Sequence, residues 1–251
     1  MMREAPERAW FLVCRALGRL LRSARYSQVR VVDLHGAPQV RKRRRFFAPV
    51  LIAMSNPLVR LLDIGVRVLP QSEWHEREQL IYSRLYGLAV GVDDDGTLVL
   101  PHLPGETLAA VLENPARSEV EKETAIERAV VALAECHRLG FTHGDAMAEN
   151  VLIDPDAARW FDFETLHDES RPIVWRQADD VRALLMTCLV RTAPGKIAET
   201  LECILNVYAD KEVTRVLATS FNSVWRRPLL FHLAQGPVSF RCFREVGRRL
   251  S

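Results

Sequence analysis

An α+β fold is the class this sequence predicts, with strands gathered in residues 28–103 and helices from 104 onward. Three observations carry the expectation. Runs rich in β-branched residues and broken by turn formers dominate the first part. Long stretches with apolar residues at i, i+3 and i+4 dominate the second, and the change falls in the Pro- and Gly-containing segment 101–105.

A chain of 251 residues that is 48% hydrophobic and 26% charged can bury a real core, as one large domain or two lobes. Its five cysteines, Cys14, Cys136, Cys188, Cys203 and Cys242, include no C-x-x-C pair and are odd in number. Neither a disulfide framework nor a zinc site is expected, and a reducing, cytoplasmic setting fits. Arg3 and Arg8 precede an apolar run that Arg15 stops, with no cleavage pattern after it, which makes a poor secretory signal. The longest uncharged stretch, 46–59, is interrupted by Ser55, Asn56 and Pro57 and is too short to span a bilayer. A net charge of +2 hides an asymmetry, since residues 1–45 hold twelve Lys/Arg against three Asp/Glu. That basic end could meet an anionic surface, including the inner face of a membrane.

Taken in order, residues 8–25 read as a basic amphipathic helix within an amino-terminal segment 1–27. Trp10, Val13, Cys14, Leu17, Leu20, Leu21 and Ala24 form one stripe, while Arg8, Arg15 and Arg22 form another. It would lie on an anionic membrane or pack on its own domain. QVRVVDL and QVRKRR flank the turn HGAP and predict a hairpin around Gly36, with Lys42 on the second strand. Residues 46–69 are apolar and punctuated by Pro49 and Pro57, with Pro70 just beyond, and no element is assigned to them. A helix over 72–86 ends at Gly87. LAVGV and TLVLPHL predict a second hairpin around the acidic turn Asp93, Asp94, Asp95, Gly96. Ser118 with Glu121 is a capping-box pattern opening a helix whose stripe, Ile126, Val130, Leu133 and His137, closes at Gly140. VLID and RWFDF then predict two short strands, and residues 178–251 are mostly helical with breaks at Pro194–Gly195 and Gly236–Pro237.

The stretch FTHGDAMAENVLID, residues 141–154, carries the chemistry. Phosphoryl transfer needs a carboxylate to orient and deprotonate a hydroxyl, oxygen ligands for Mg²⁺, and a cation on the nucleotide phosphates. Asp145 and Asn150 lie five residues apart, and Asp162 follows on the returning strand within WFDFE. Their oxygens are the hard donors that Mg²⁺ prefers.

HGDAMAEN resembles the catalytic loop of the protein-kinase-like superfamily, in its atypical bacterial branch related to RIO kinases. DFE at 162–164 is similar to that superfamily's metal-binding DFG, in the variant of the aminoglycoside phosphotransferases. The resemblance implies a two-lobed protein-kinase-like fold, with a β-rich N-lobe over 28–103 and an α-helical C-lobe over 104–251. It implies an enzyme that uses ATP and Mg²⁺, with Asp145 as catalytic base, Asn150 and Asp162 as metal ligands, and His143 as support for the loop. It also implies a Lys in a V-x-K strand, supplied by Val40-Arg41-Lys42, and a Glu on the next helix to pair with it. Of Glu73, Glu76 and Glu78, Glu78 shares a helix face with Trp74, Ile81 and Leu85, where a carboxylate needs a partner. Within RKRRR, Arg41 and Arg43 compete with Lys42 for the key position. Residues 98–103 resemble the hinge that meets adenine, which assigns nucleotide contacts to Leu100, His102 and Leu103. Asp180 resembles the buried Asp that braces the catalytic loop, and Asp179 competes for that role.

Several features depart from the protein kinases. No G-x-G-x-x-G precedes the first hairpin, Met147 stands where a Ser/Thr protein kinase has Lys, and the residues between Asp162 and Asp180 hold no A-P-E. These departures favour a small-molecule, sugar or lipid-linked sugar acceptor. VRKRRRFF, the apolar insert and REQLIYSRLYG most resemble lipopolysaccharide-core kinases, which phosphorylate heptose or Kdo. An atypical Ser/Thr protein kinase and a nucleotide-binding pseudokinase scaffold are the alternatives. Two further readings are weighed against it: a metallohydrolase using His137, His143 and Asp145, and a nucleic-acid binder using Arg41 to Arg45, which lacks an aromatic platform.

Overall fold

A computed structural model describes residues 26–34, 36–61, 63–221 and 240–250. The expected helix at 8–25 and the break at 236–237 lie outside these residues. The described chain is a mixed α/β structure of small antiparallel sheets and helices.

Strands β1 (Ser27–Leu34) and β2 (Ala37–Arg44) form the first hairpin, with Val29 opposite Lys42 and Val31 opposite Val40. Gly36 closes its turn at φ 82°, donating its N–H to Asp33 Oδ1 at 2.8 Å. The two-residue period of a strand sorts the basic run: Lys42 and Arg44 point inward and are buried, whereas Arg41 and Arg43 face outward.

The apolar segment 46–69, for which the spacing predicts no element, forms helix α1 (Ala48–Leu61) followed by strand β3 (Val66–Val68). Pro49 sits in the first turn, where no amide hydrogen is needed. Pro57 falls inside the helix, next to Asn56, whose amide clamps the edge of β3. Asn56 donates to Val68 O at 2.9 Å and accepts from Val68 N at 3.0 Å. Tertiary pairing thus offsets the propensity that two prolines remove.

Helix α2 (Gln71–Tyr86) ends on Gly87 in the left-handed region. The second hairpin is shorter than LAVGV and TLVLPHL predict: β4 (Gly91–Val92) pairs with β5 (Leu98–Pro101) through two residues only. β5 also pairs with β2, placing Leu100 opposite Val40 and Leu98 opposite Lys42, so the sheet order is β1-β2-β5-β4.

Strand β6 (Glu106–Thr107) leads into α3 (Leu108–Glu113) and α4 (Glu119–Arg138), which opens with the full Ser118–Glu121 capping box. β7 (Val151–Ile153) and β8 (Ala158–Trp160) join β6 in a three-stranded sheet, and β9 (Thr165–His167) pairs with β3. Asp162 lies beyond β8 rather than on it, as does the rest of DFE, and adopts φ 69°. Helices α5 (Ile173–Leu189), α6 (Ile197–Tyr208), α7 (Lys211–Phe221) and α8 (Phe240–Leu250) complete the described chain. Leu133 of α4, Trp160, Phe163 and Leu184 of α5 are among the side chains that bury the core behind the loop 143–150.

Candidate functional site

Lys42 is the centre of the site. Its ammonium forms a close ion pair with Asp162 and lies 3.6 Å from Glu78 and 3.7 Å from Glu164. Burial opposes its charge, but Asp162, Glu164 and Glu78 together outweigh that and raise its pKa above the ordinary lysine value. Glu78 Oε1 also accepts from Trp74 Nε1 at 3.1 Å and from Phe163 N at 3.2 Å, which ties α2 to the segment carrying Asp162. Burial raises the Glu78 pKa, against the pull of Lys42. Its helix face is the apolar one expected: Trp74 and Ile81 are fully buried on either side.

Arg41 and Arg43 do not compete for this place. Arg41 pairs with Asp93 and Arg43 with Asp95, so the acidic turn of the second hairpin neutralises them on the outer face. Arg44 shares the inner face with Lys42. It holds Glu164 at 2.8 Å and Leu69 O at 2.9 Å, and both cations lie over the Trp74 ring, at 4.6 Å for Arg44 and 4.9 Å for Lys42. Four of the five basic residues in RKRRR are therefore paired within the chain, which argues against a free nucleic-acid surface.

The start of the loop 143–150 hangs from one buried carboxylate, and Thr187 Oγ1 holds its Ala148 N–H at 3.0 Å. Asp180 accepts from His143 N at 2.7 Å, from Gly144 N at 2.9 Å and from His137 Nε2 at 3.0 Å. Burial would raise its pKa, but His167, His137 and His143 together hold it below the usual carboxylate value. Asp179, one residue earlier, instead pairs with Arg182 and accepts from His167 at 3.2 Å, so the competition between the two resolves in favour of Asp180. Gly144 has φ 82°, and a Cβ there would stand 3.1 Å from Thr165 O, so a side chain in the middle of H-G-D would strain the backbone and press on β9.

His143 is fully buried and held neutral, its pKa lowered to about 4, chiefly by burial. Its Nε2–H donates to Phe161 O at 2.9 Å, and Nδ1 accepts from Asp145 N at 3.3 Å. His137 uses Nδ1 on Tyr208 Oη at 2.7 Å and Nε2 on Asp180. All four ring nitrogens are engaged within the protein, which removes the basis for the metallohydrolase reading. Asn150 donates to Asp145 O at 2.8 Å and to Asp145 Oδ2 at 3.1 Å, fixing the half-buried carboxylate.

Two adjoining cavities meet at Lys42 and Asp162. One, of about 370 Å³, is bordered by Asp145, Met147, Asn150, Glu164 and Arg67. The other, of about 220 Å³, is largely apolar and lined by Val29, Val40, Tyr82, Leu152 and Phe161. Leu100, His102 and Leu103 border the second cavity only, so the structure brings every expected site residue except the supporting His143 and Asp180 to one of the two cavity walls. Sequence reasoning missed Arg44 and the ion-pair role of Glu164, although the two-residue period from Lys42 to Arg44 could have signalled the first. Comparison with protein-family models and with curated proteins finds no match.

Proposed function

We propose that the chain is a phosphotransferase that uses ATP and Mg²⁺ to phosphorylate a hydroxyl of a sugar or lipopolysaccharide-type glycolipid. In this reading the β-rich and helical parts correspond to the two lobes of a protein-kinase-like fold. One observation carries it: Lys42, anchored by Glu78, converges with Asp162, Asp145 and Asn150 on a shared cavity.

Each residue has a role that its surroundings support. The apolar cavity beside Leu100 and Leu103 accepts a flat heterocycle, and its polar neighbour accepts the phosphate chain. Lys42, kept protonated by its carboxylates, supplies the cation for phosphate oxygens. Asp162 and Asn150 offer a carboxylate and an amide carbonyl, a donor set that fits Mg²⁺. When bound, Mg²⁺ would neutralise charge building on the transferred phosphoryl group. Asp145 orients the acceptor hydroxyl and takes its proton.

A small acceptor is favoured by the chain after Asp162. β9 begins three residues later and pairs with β3, leaving little length for a peptide-holding segment. Met147 also lines the cavity where a protein kinase would present a lysine.

Transfer of radiolabelled γ-phosphate, measured separately on lipid extracts and on protein mixtures, tests the assignment. Label is expected in the lipid fraction, and Asp145→Asn should lower turnover by about 10²- to 10⁴-fold with nucleotide binding retained. Label in protein alone would replace the acceptor class. No transfer, together with no thermal shift by ATP and Mg²⁺, would overturn the assignment.

A further inference from the structure

The outer face of α1, together with the turn before it, is apolar and uncovered by any described residue. Phe46 is 90% exposed, Phe47 68%, Val50 58% and Met54 70%, with Leu61 at 76% on the last turn. Six of the fourteen large apolar side chains exposed among the described residues fall between Phe46 and Leu61. Such clustering departs from the scattered exposure normal on a soluble surface.

Charge selects the partner. Between Asp33 and Asp63 the sequence has six Lys/Arg and no acidic residue. Arg41, Lys42, Arg43 and Arg44 are neutralised by carboxylates of this chain, which leaves Arg45 exposed just before α1, while Arg60 near its far end is exposed and acts on Asp168. An exposed apolar stripe on α1, two phenylalanines in the turn before it with Arg45 beside them, and no acidic residue from 34 to 62 match the anionic headgroup boundary of a bilayer. We infer that α1 and the turn before it dock the protein on an anionic lipid surface through Phe46, Phe47, Val50 and Met54.

The opposite face of the same helix reaches the catalytic cavity. Ser55 and Val59 line it together with Asp145, and Ser55 Oγ accepts from Tyr26 Oη at 3.3 Å. A bilayer beneath α1 would lie about 10 Å, one helix diameter, from that cavity. The docking surface stands on its own; its use in presenting a lipid-borne hydroxyl to Asp145 rests on the phosphotransferase reading.

Cosedimentation of the full chain, without ATP, with vesicles of phosphatidylcholine alone or mixed with phosphatidylglycerol tests the inference. Binding to the mixed vesicles is expected, with apparent affinity at least about tenfold weaker for Val50→Glu/Met54→Glu and an unchanged melting temperature. Equal binding by that variant would overturn it, as would wild-type protein remaining in the supernatant. So would a marked fall in the variant's melting temperature, meaning that the chain itself covers this face, or a wild-type dimer that the variant dissociates. Vesicle binding without phosphoryl transfer would refute the activity and leave the docking surface standing.

Discussion

Asp180→Asn removes charge while keeping shape, and its cost can be worked from three contacts. The native carboxylate takes N–H donors from His143, Gly144 and His137, all within 3.0 Å, in a site with 1% exposure. Asparagine keeps one acceptor oxygen and turns an NH₂ towards a backbone N–H. The lost charge-assisted bond costs about 1.5–3 kcal/mol, and the orphaned buried N–H about 1–3 kcal/mol more. A loss of about 3–5 kcal/mol should lower the urea midpoint by about 1–2.5 M, taking an m-value of about 2–3 kcal/mol/M. Hydrogen exchange locates the effect: the Gly144 amide should exchange faster in Asp180→Asn but not in Asp179→Asn, whose carboxylate serves Arg182 and His167. Destabilisation below about 1 kcal/mol, or equal exchange at Gly144 in both variants, would refute the claim that Asp180 suspends the loop.

Further outcomes follow from the same site. Lys42→Met strands the carboxylates of Glu78 and Asp162 without their shared ammonium, while Glu164 keeps Arg44, so thermal melts at neutral pH should show a loss of about 3–5 kcal/mol. An unchanged melting temperature would mean that the carboxylates have other partners. Asp162→Asn should weaken Mg²⁺-dependent nucleotide binding in calorimetric titrations; unaltered affinity removes Asp162 as a metal ligand. His143 gives a pH signature. Its folded pKa of about 4 lies below the value near 6.5 of an unfolded histidine, so only the unfolded chain takes up this proton between those limits. Stability from this group is complete above about pH 6.5 and falls towards pH 4, by about 3 kcal/mol in all at about 1.4 kcal/mol per unit. The pH profile of His143→Gln, compared with wild type, should lack that component; parallel profiles would contradict it.

Local spacing made part of this site legible. Asp145 and Asn150 lie within one loop, so their relation is set over five residues, and the Ser118–Glu121 box is confined to one helical turn. Glu78 could be chosen from three candidates because helical periodicity assigns a face without reference to the rest of the chain. Asp180 and Asp179 could not be separated in that way. Adjacent on a helix, they differ in which distant groups each meets, and those groups are 12 to 43 residues away.

Helix α1 marks the opposite limit. Pro49 and Pro57 erase its local signal, and the clamp of Asn56 on β3 that supports it joins segments related by folding rather than by periodicity. The register of RKRRR was likewise open along the strand, where alternation says which residues share a face but not which face turns inward. Pairing of β2 with β5 and the acidic turn at Asp93 and Asp95 settle that, drawing Arg41 and Arg43 outward and leaving Lys42 and Arg44 to the interior. Short-range periodicity is written residue by residue in the chain. Charge partners such as Lys42 and Asp162, 120 positions apart, exist only once hydrophobic burial has brought their elements together.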